Sequence, residues 1–437
     1  MSTPVLYRLL TQAALPLTRL YLRKRARRQP AYLEHWDERY GACTYPAPVR
    51  PRLWLHAVSV GETNAARALI DAFFAAYADS EVLLTCMTPT GREAGERIAR
   101  AYPGRITQCY LPYDTAPLMG KFLDETRPVM GVVMETEVWP NMVSEANARG
   151  IPLVLANARE SEKSARQAGR FAGVMRPAFA GFAAVLAQSR EDAARLTALG
   201  ARVVHVCGSV KFDVKPDPGQ TARAEELKKR IGRPVILLAS TREGEEKLFV
   251  DVLSRTSEKV AALLVPRHPQ RFDEVFETVQ ATGLPILRRS NNEDFARAAP
   301  IDGPVILFGD TMGEMSFYCA LADVTIMGGS FGPYGSQNLI EPAAAGSPVL
   351  VGPSSFNFAK AVADAVETGA AERVRDARDA WNTAIGWLND GCLPERRRRA
   401  LEFAHGYTGS SLRQMRYIGE IWENALRQRS QGDASHD

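Results

Sequence analysis

From residue 53 onward, short apolar runs alternate with helical stretches, and the alternation is made twice. Strands buried on both faces read as continuous Val/Ile/Leu runs, and the helices between them supply the crossovers of a parallel sheet. The first series of runs covers 53–58, 82–87, 106–111, 129–134, 153–156, 183–187 and 203–207. The second covers 235–239, 262–265, 285–287, 305–308, 324–327 and 348–351. Between them, Pro216, Asp217, Pro218 and Gly219 precede a polar helix, which marks a domain boundary. The pattern predicts an α/β chain of two doubly wound domains, residues 29–213 and residues 234–429. The second takes in the helices that follow from about residue 376, and a linker with its entry helix occupies 214–233. A length of 437 residues also favours two cores over one. Residues 430–437 read as a disordered tail.

Charge separates the amino terminus from the rest. Residues 1–28 hold Arg8, Arg19, Arg23, Lys24, Arg25, Arg27 and Arg28 and no acid, so a net charge of +4 leaves the remainder acidic. Nucleic-acid binding, which asks for basic residues over the folded surface, is not expected. Residues 5–22 are apolar but interrupted by Arg8, Pro16 and Arg19. That pattern suits a basic amphipathic anchor lying in a membrane interface, with the basic cluster held by anionic lipid on the cytoplasmic side. The plainer alternative is a first helix packed on the protein's own core. The six cysteines form no CxxC pair and the six histidines no HExxH, so a reducing compartment and no protein-built metal site are expected.

Polar residues gather where strands end, which is where open α/β sheets bind ligands. After the first strand, residues 56–62 read HAVSVGE. Glu62 is either a helix-capping acid or a general base. After the fourth, residues 134–141 read METEVWPN, with Glu135 and Glu137 either at a site edge or at a helix start. Lys211, in GSVKFD over 208–213, either reaches an anion or is solvated. In the second half, PRHPQRF over 266–272 offers Arg267, His268 and Arg271 to a phosphate or a sugar-acid carboxylate. GDTMGEM over 309–315 and Gly328, Gly329 and Ser330 supply glycine turns, and Asn338, Leu339, Ile340 and Glu341 open a helix. Backbone N–H groups at such a start suit a phosphate, and Glu341 suits ribose hydroxyls. The set reads as a site for a nucleotide-activated sugar. No GxGxxG follows a strand, which disfavours a dinucleotide dehydrogenase.

These blocks, with Asn157, Ala158 and Arg159 (NAR) between them, occur in an order that closely resembles the 3-deoxy-D-manno-octulosonic acid (Kdo) transferase family, from the basic amino terminus to about Phe358. The resemblance implies a GT-B fold: two Rossmann-like domains facing a central cleft, an amino-terminal membrane-anchoring helix, the acceptor on the first domain and the donor on the second. It implies an inverting transfer of Kdo from CMP-Kdo to the lipid A precursor at the cytoplasmic face of the inner membrane. No cofactor and no catalytic metal are implied. Glu62 would be the general base, and Glu135 and Lys211 would stabilise the transition state. Pro266, Arg267, Gly313, Glu314, Met315, Asn338, Leu339, Ile340 and Glu341 would bind CMP-Kdo. One departure is Ser336, which stands where a second glycine is expected; serine fits that turn if its φ is negative. Another GT-B enzyme, such as an NDP-sugar epimerase, and a catalytically silent membrane-bound binding protein are the competing readings.

Overall fold

The computed structural model describes residues 3–213, 216–291 and 294–433. It divides into two units, Met1–Asp213 with Gly409–Asp437, and Val214–Thr408. The first holds β1 (Arg52–His56), β2 (Glu81–Cys86), β3 (Ile106–Tyr110), β4 (Met130–Met134), β5 (Leu153–Ala158), β6 (Ala184–Ala187) and β7 (Val204–Val206). These form one sheet in the order β3-β2-β1-β4-β5-β6-β7, parallel throughout. Leu53, Leu55, Val132, Val154 and Leu186 face one apolar layer, and Trp54, Leu83, Val133, Leu155 and Val185 the other. Period-2 alternation between two buried layers is why these strands read as unbroken apolar runs.

The second unit holds β8 (Val235–Thr241), β9 (Ala261–Pro266), β10 (Ile286–Arg288), β11 (Val305–Phe308), β12 (Val324–Met327), β13 (Val349–Val351) and β14 (Ala371–Arg373). Its order is β10-β11-β9-β8-β12-β13-β14, again parallel. In each sheet the strand order reverses once near the middle, between β1 and β4 and between β8 and β12. Those reversals open the crevices at which doubly wound sheets hold ligands.

The structure corrects the expected domain limits in one place. Helix Ser410–Asp433, expected with the second domain, belongs to the first unit. Met415, Ile418, Trp422 and Ala425 are buried in the layer under β1 and β4, and Trp422 meets Phe73 edge to face at 5.0 Å. The helices Ala377–Asn389 and Leu393–Tyr407 stay with the second unit, as expected. The entry helix runs Pro218–Ile231, capped by Asp217, whose side chain accepts from Gln220 N, and closed by Gly232 at φ 62°. Of the tail read as disordered, residues up to Asp433 continue the last helix, and 434–437 lie outside the described residues.

The amino terminus is a helix, Val5–Ala26, in which only Leu22 is buried. Thr3 Oγ1 donates to Pro140 O at 2.9 Å, Asn141 Nδ2 donates to Thr11 Oγ1 at 3.2 Å, and Arg8 pairs with Glu145. These contacts dock its first turns on helix Pro140–Ala148. Val5, Leu6, Leu9, Leu10, Leu17 and Leu20 stay exposed. Among the described residues, no helix is long and apolar enough to cross a membrane.

Candidate active site

In the first unit the strand-end groups come together around the β1/β4 switch point. Ser59 caps helix Val60–Ala76, its Oγ accepting from Glu62 N. Glu62 answers: Ser59 Oγ donates to its Oε1 at 2.8 Å and Val58 N to its Oε2 at 2.8 Å. This is a variant of the capping box, the carboxylate reaching the N–H of the residue before the cap, so the capping role is real. Burial nevertheless pushes the Glu62 carboxyl above the usual carboxylate range, against those two hydrogen bonds, and the charges of Glu137 and Glu135 push the same way. A carboxylate that holds its proton more tightly than usual is a better proton acceptor near neutral pH.

Glu135 sits one residue past β4 at φ 58°, a left-handed conformation costly for glutamate. It is only 7% exposed. Lys211 Nζ lies 2.5 Å from its Oε1, and Arg159 Nε lies 3.7 Å from its Oε2. A carboxylate this buried needs such partners. Glu137 instead accepts from Trp139 Nε1 at 2.9 Å, and burial raises its pKa. His56 is fully buried, 2.9 Å from Thr85 Oγ1 and edge-to-face with Trp139 at 5.2 Å between centroids.

Burial lowers the His56 pKa to about 3, so the folded state holds the ring neutral while the unfolded chain protonates it near 6.5. The stability this supports is complete above the unfolded value and is lost as pH falls toward 3, at up to about 1.4 kcal/mol per pH unit. Acidification from pH 6.5 to 4 is expected to lower the melting temperature more steeply for the native chain than for His56→Gln, as differential scanning calorimetry would read.

In the second unit a cavity of about 290 Å³ lies at the β8/β12 switch point, lined by Ser240, Pro266, Arg267, Gly313, Met315, Asn338 and Glu341 among others. Its floor depends on two strand ends in backbone contact. Ser240 takes φ 55°, breaking the β8–β9 register, and a Cβ on Gly328 would lie 2.5 Å from Ser240 O. Glu245 holds the turn after β12: its carboxylate accepts from Gly329 N at 2.7 Å, Phe331 N at 2.9 Å and Arg242 N at 2.8 Å. Arg267 is exposed, with its N–H fixed on Thr241 O at 3.0 Å. Burial raises the Glu341 pKa, opposed by the charge of Arg267.

Six of the nine residues expected to bind the donor line this cavity: Pro266, Arg267, Gly313, Met315, Asn338 and Glu341. Three do not. Glu314 forms a fork with Arg289, at 3.0 and 2.9 Å, and accepts from Thr311 Oγ1, which holds its pKa down to about 2. Leu339 and Ile340 are fully buried in the core, and helix Ile340–Ala344 is only five residues long, its first N–H groups partly capped by Asn338 Oδ1. Arg271, offered to a phosphate by the sequence, forms a fork with Glu246 at 2.9 and 3.1 Å. The condition set for Ser336, a negative φ, is not met: it takes φ 71°, with its N–H on Gly329 O at 2.7 Å. In the sequence the turn 239–245 is only a weak signal, and nothing in it singles out Glu245, on which three backbone donors converge; the lining residues Tyr318 and Cys319 were missed.

Two parallel doubly wound units, each with polar groups gathered at its switch point, define a two-domain α/β protein of GT-B-like architecture. A UDP-GlcNAc 2-epimerase from Neisseria meningitidis, solved bound to UDP-GlcNAc, superposes with TM-score 0.55 at 14% identity, covering 85% of this chain and 100% of that one, a likeness of fold alone. A family model described as 3-Deoxy-D-manno-octulosonic-acid transferase (kdotransferase) matches residues 34–214. The 3-deoxy-D-manno-octulosonic acid transferase of Bordetella pertussis is 44% identical over 415 residues, 92% of this chain and 95% of that one. That of Haemophilus influenzae is 30% identical over 366 residues, 82% of this chain and 84% of that one. The chain belongs to the 3-deoxy-D-manno-octulosonic acid (Kdo) transferase family, and is a glycosyltransferase.

Proposed function

We propose that this chain transfers Kdo from CMP-Kdo to the lipid A precursor, lipid IVA, in lipopolysaccharide core synthesis, in one inverting displacement. The acceptor hydroxyl oxygen forms a bond to the anomeric carbon, its proton passes to a Glu62 carboxylate oxygen, and the bond from the anomeric carbon to the CMP phosphate oxygen breaks. Negative charge then grows on the phosphate and positive character on the sugar ring. Arg267 offsets the first, and Lys211, held by Glu135, adds a cation to the first unit's site. Glu341 and Asn338 serve the ribose and base of the nucleotide, and Gly313 and Met315 shape its cavity. The observation that carries the reading is the 44% identity to a Kdo transferase along nearly the whole chain, in a protein whose half-buried Glu62 is raised in pKa.

Isothermal titration with CMP tests the donor side. Arg267→Ala is expected to weaken CMP binding about 10- to 100-fold, the loss of a charge-assisted contact to phosphate. Unchanged affinity would remove Arg267 from the donor site.

The helix Val5–Ala26 is proposed to lie on the cytoplasmic face of the inner membrane. Its exposed leucines and the basic residues of its last turn, Arg23, Lys24 and Arg25, match an interfacial anchor drawn to anionic lipid. Vesicles containing about 30% anionic lipid are expected to co-sediment the intact chain. Replacing Arg23, Lys24, Arg25, Arg27 and Arg28 by glutamine should release most of it, at about 1 kcal/mol per basic residue near the surface.

A further inference from the structure

Lys211 stands on a single 3-10 turn, Val210–Phe212, and a lysine on so short an element, paired only through its own ammonium, would be loosely placed. Here the backbone just before it, at Gly208 and Val210, is gripped by two fully buried amides. Asn157 takes φ 51° near the end of β5, in the left-handed region that asparagine tolerates better than most residues. The β5–β6 register is interrupted between Leu155 and Ala158. Val210 N donates to Asn157 Oδ1 at 3.1 Å. Asn157 N donates to Gln414 Oε1 at 2.9 Å, and Gln414 Nε2 donates to Gly208 O at 3.2 Å. Both residues are 0% exposed.

This segment is tied to helix Ser410–Asp433 at further points. Arg413 Nε donates to Cys207 O at 2.9 Å, and Asp213 accepts from Ser410 N at 2.8 Å and from Ser411 N. The other half of the ion pair is fixed from the same place: Glu135 N donates to Ala156 O, the residue before Asn157, at 2.9 Å. We propose that Asn157 and Gln414 are a positioning pair that fixes Lys211 against Glu135, making the carboxy-terminal helix a working part of the first unit's site. Neither amide touches the reacting groups. Each acts by setting the backbone one to three residues from Lys211, and an ångström there is enough to cost much of the rate of an oriented reaction.

This rests on the reading in which Lys211 serves the transfer, and the test separates the two. Asn157→Gly keeps the left-handed backbone and deletes the acceptor. Gln414→Met keeps the volume and deletes both hydrogen bonds. Three quantities are measured on folded protein: kcat and donor KM, the same in a Lys211→Ala background, and the rate of Lys211 acetylation by acetic anhydride, read by peptide mass spectrometry. The expected result is a kcat lowered about 10- to 100-fold with donor KM within about twofold. Lys211 acetylates at least about threefold faster, because an amine no longer held 2.5 Å from Glu135 Oε1 meets the reagent more freely. In the Lys211→Ala background each substitution costs less than about twofold more, because coupled residues are non-additive. Unchanged acetylation would overturn the proposal, as would a loss of kcat that persists undiminished without Lys211. If Lys211→Ala alone is fully active, the catalytic role of Lys211 falls, and the acetylation rates still decide the positioning. Should one variant fail to fold, the other decides.

Discussion

Glu62→Gln is expected to lower kcat about 10²- to 10⁴-fold, the usual worth of a positioned base, while leaving the melting temperature within a degree or two. The capping box makes this separation possible. A glutamine at the third helical position serves a capping box as glutamate does: its amide oxygen can accept from Val58 N, and its NH₂ can donate to Ser59 Oγ, which now accepts. What it cannot do is take a proton. Glu62→Ala removes both functions and should additionally cost about 1 kcal/mol of stability. If capping were the whole role of Glu62, the glutamine variant would be as active as the native chain. The pH profile gives a second readout. Because burial raises the Glu62 pKa, the acid limb of kcat/KM should lie above the range of an ordinary glutamate, and Glu62→Gln should abolish that limb.

Gly328→Ala is expected to be the most damaging single methyl in the second unit. Its Cβ would lie 2.5 Å from Ser240 O and 2.7 Å from Ala239 O, both backbone atoms. Gly328 N also donates to Ala239 O at 2.8 Å, so the strands cannot part without losing that bond. Overpacking against backbone costs about 3 kcal/mol, or a melting temperature lower by about 6–12 °C for a unit of this size. Because Ser240 lines the cavity, CMP affinity should fall at least about tenfold even at temperatures where the protein stays folded. Gly386→Ala, in helix Ala377–Asn389 with no atom within 4 Å of the new Cβ, is the control and should stabilise by up to about 1 kcal/mol.

Most of the fold was legible because its strands are covered on both faces. Every strand but β14 announces itself as an apolar run, and β14 does not because it is a three-residue stretch of which only Ala371 is buried. The return of the last helix to the first unit was not legible. Met415, Ile418 and Trp422 show an apolar face, but periodicity does not say which core the face will meet. In the site, Ser59 and Glu62 could be read at once, since a capping box is local. The left-handed residues could not: Glu135 and Ser240 carry no local signal for positive φ, and only the packing around them imposes it. The ion pair of Glu314 was not legible for a related reason. Its partner Arg289 lies twenty-five residues upstream, and no local pattern pairs them. Gln414 is separated from Asn157 by 257 residues, beyond the reach of any motif.

The central claim is the choice of donor and acceptor. The most direct test incubates the intact chain with CMP-Kdo and tetraacylated lipid A precursor in one vessel, and with UDP-GlcNAc and no lipid in another. Mass spectrometry follows the lipid in the first, and the nucleotide and sugar in the second. The account predicts a lipid heavier by Kdo in the first vessel and untouched UDP-GlcNAc in the second. An unmodified lipid together with epimerised or hydrolysed UDP-GlcNAc would contradict it.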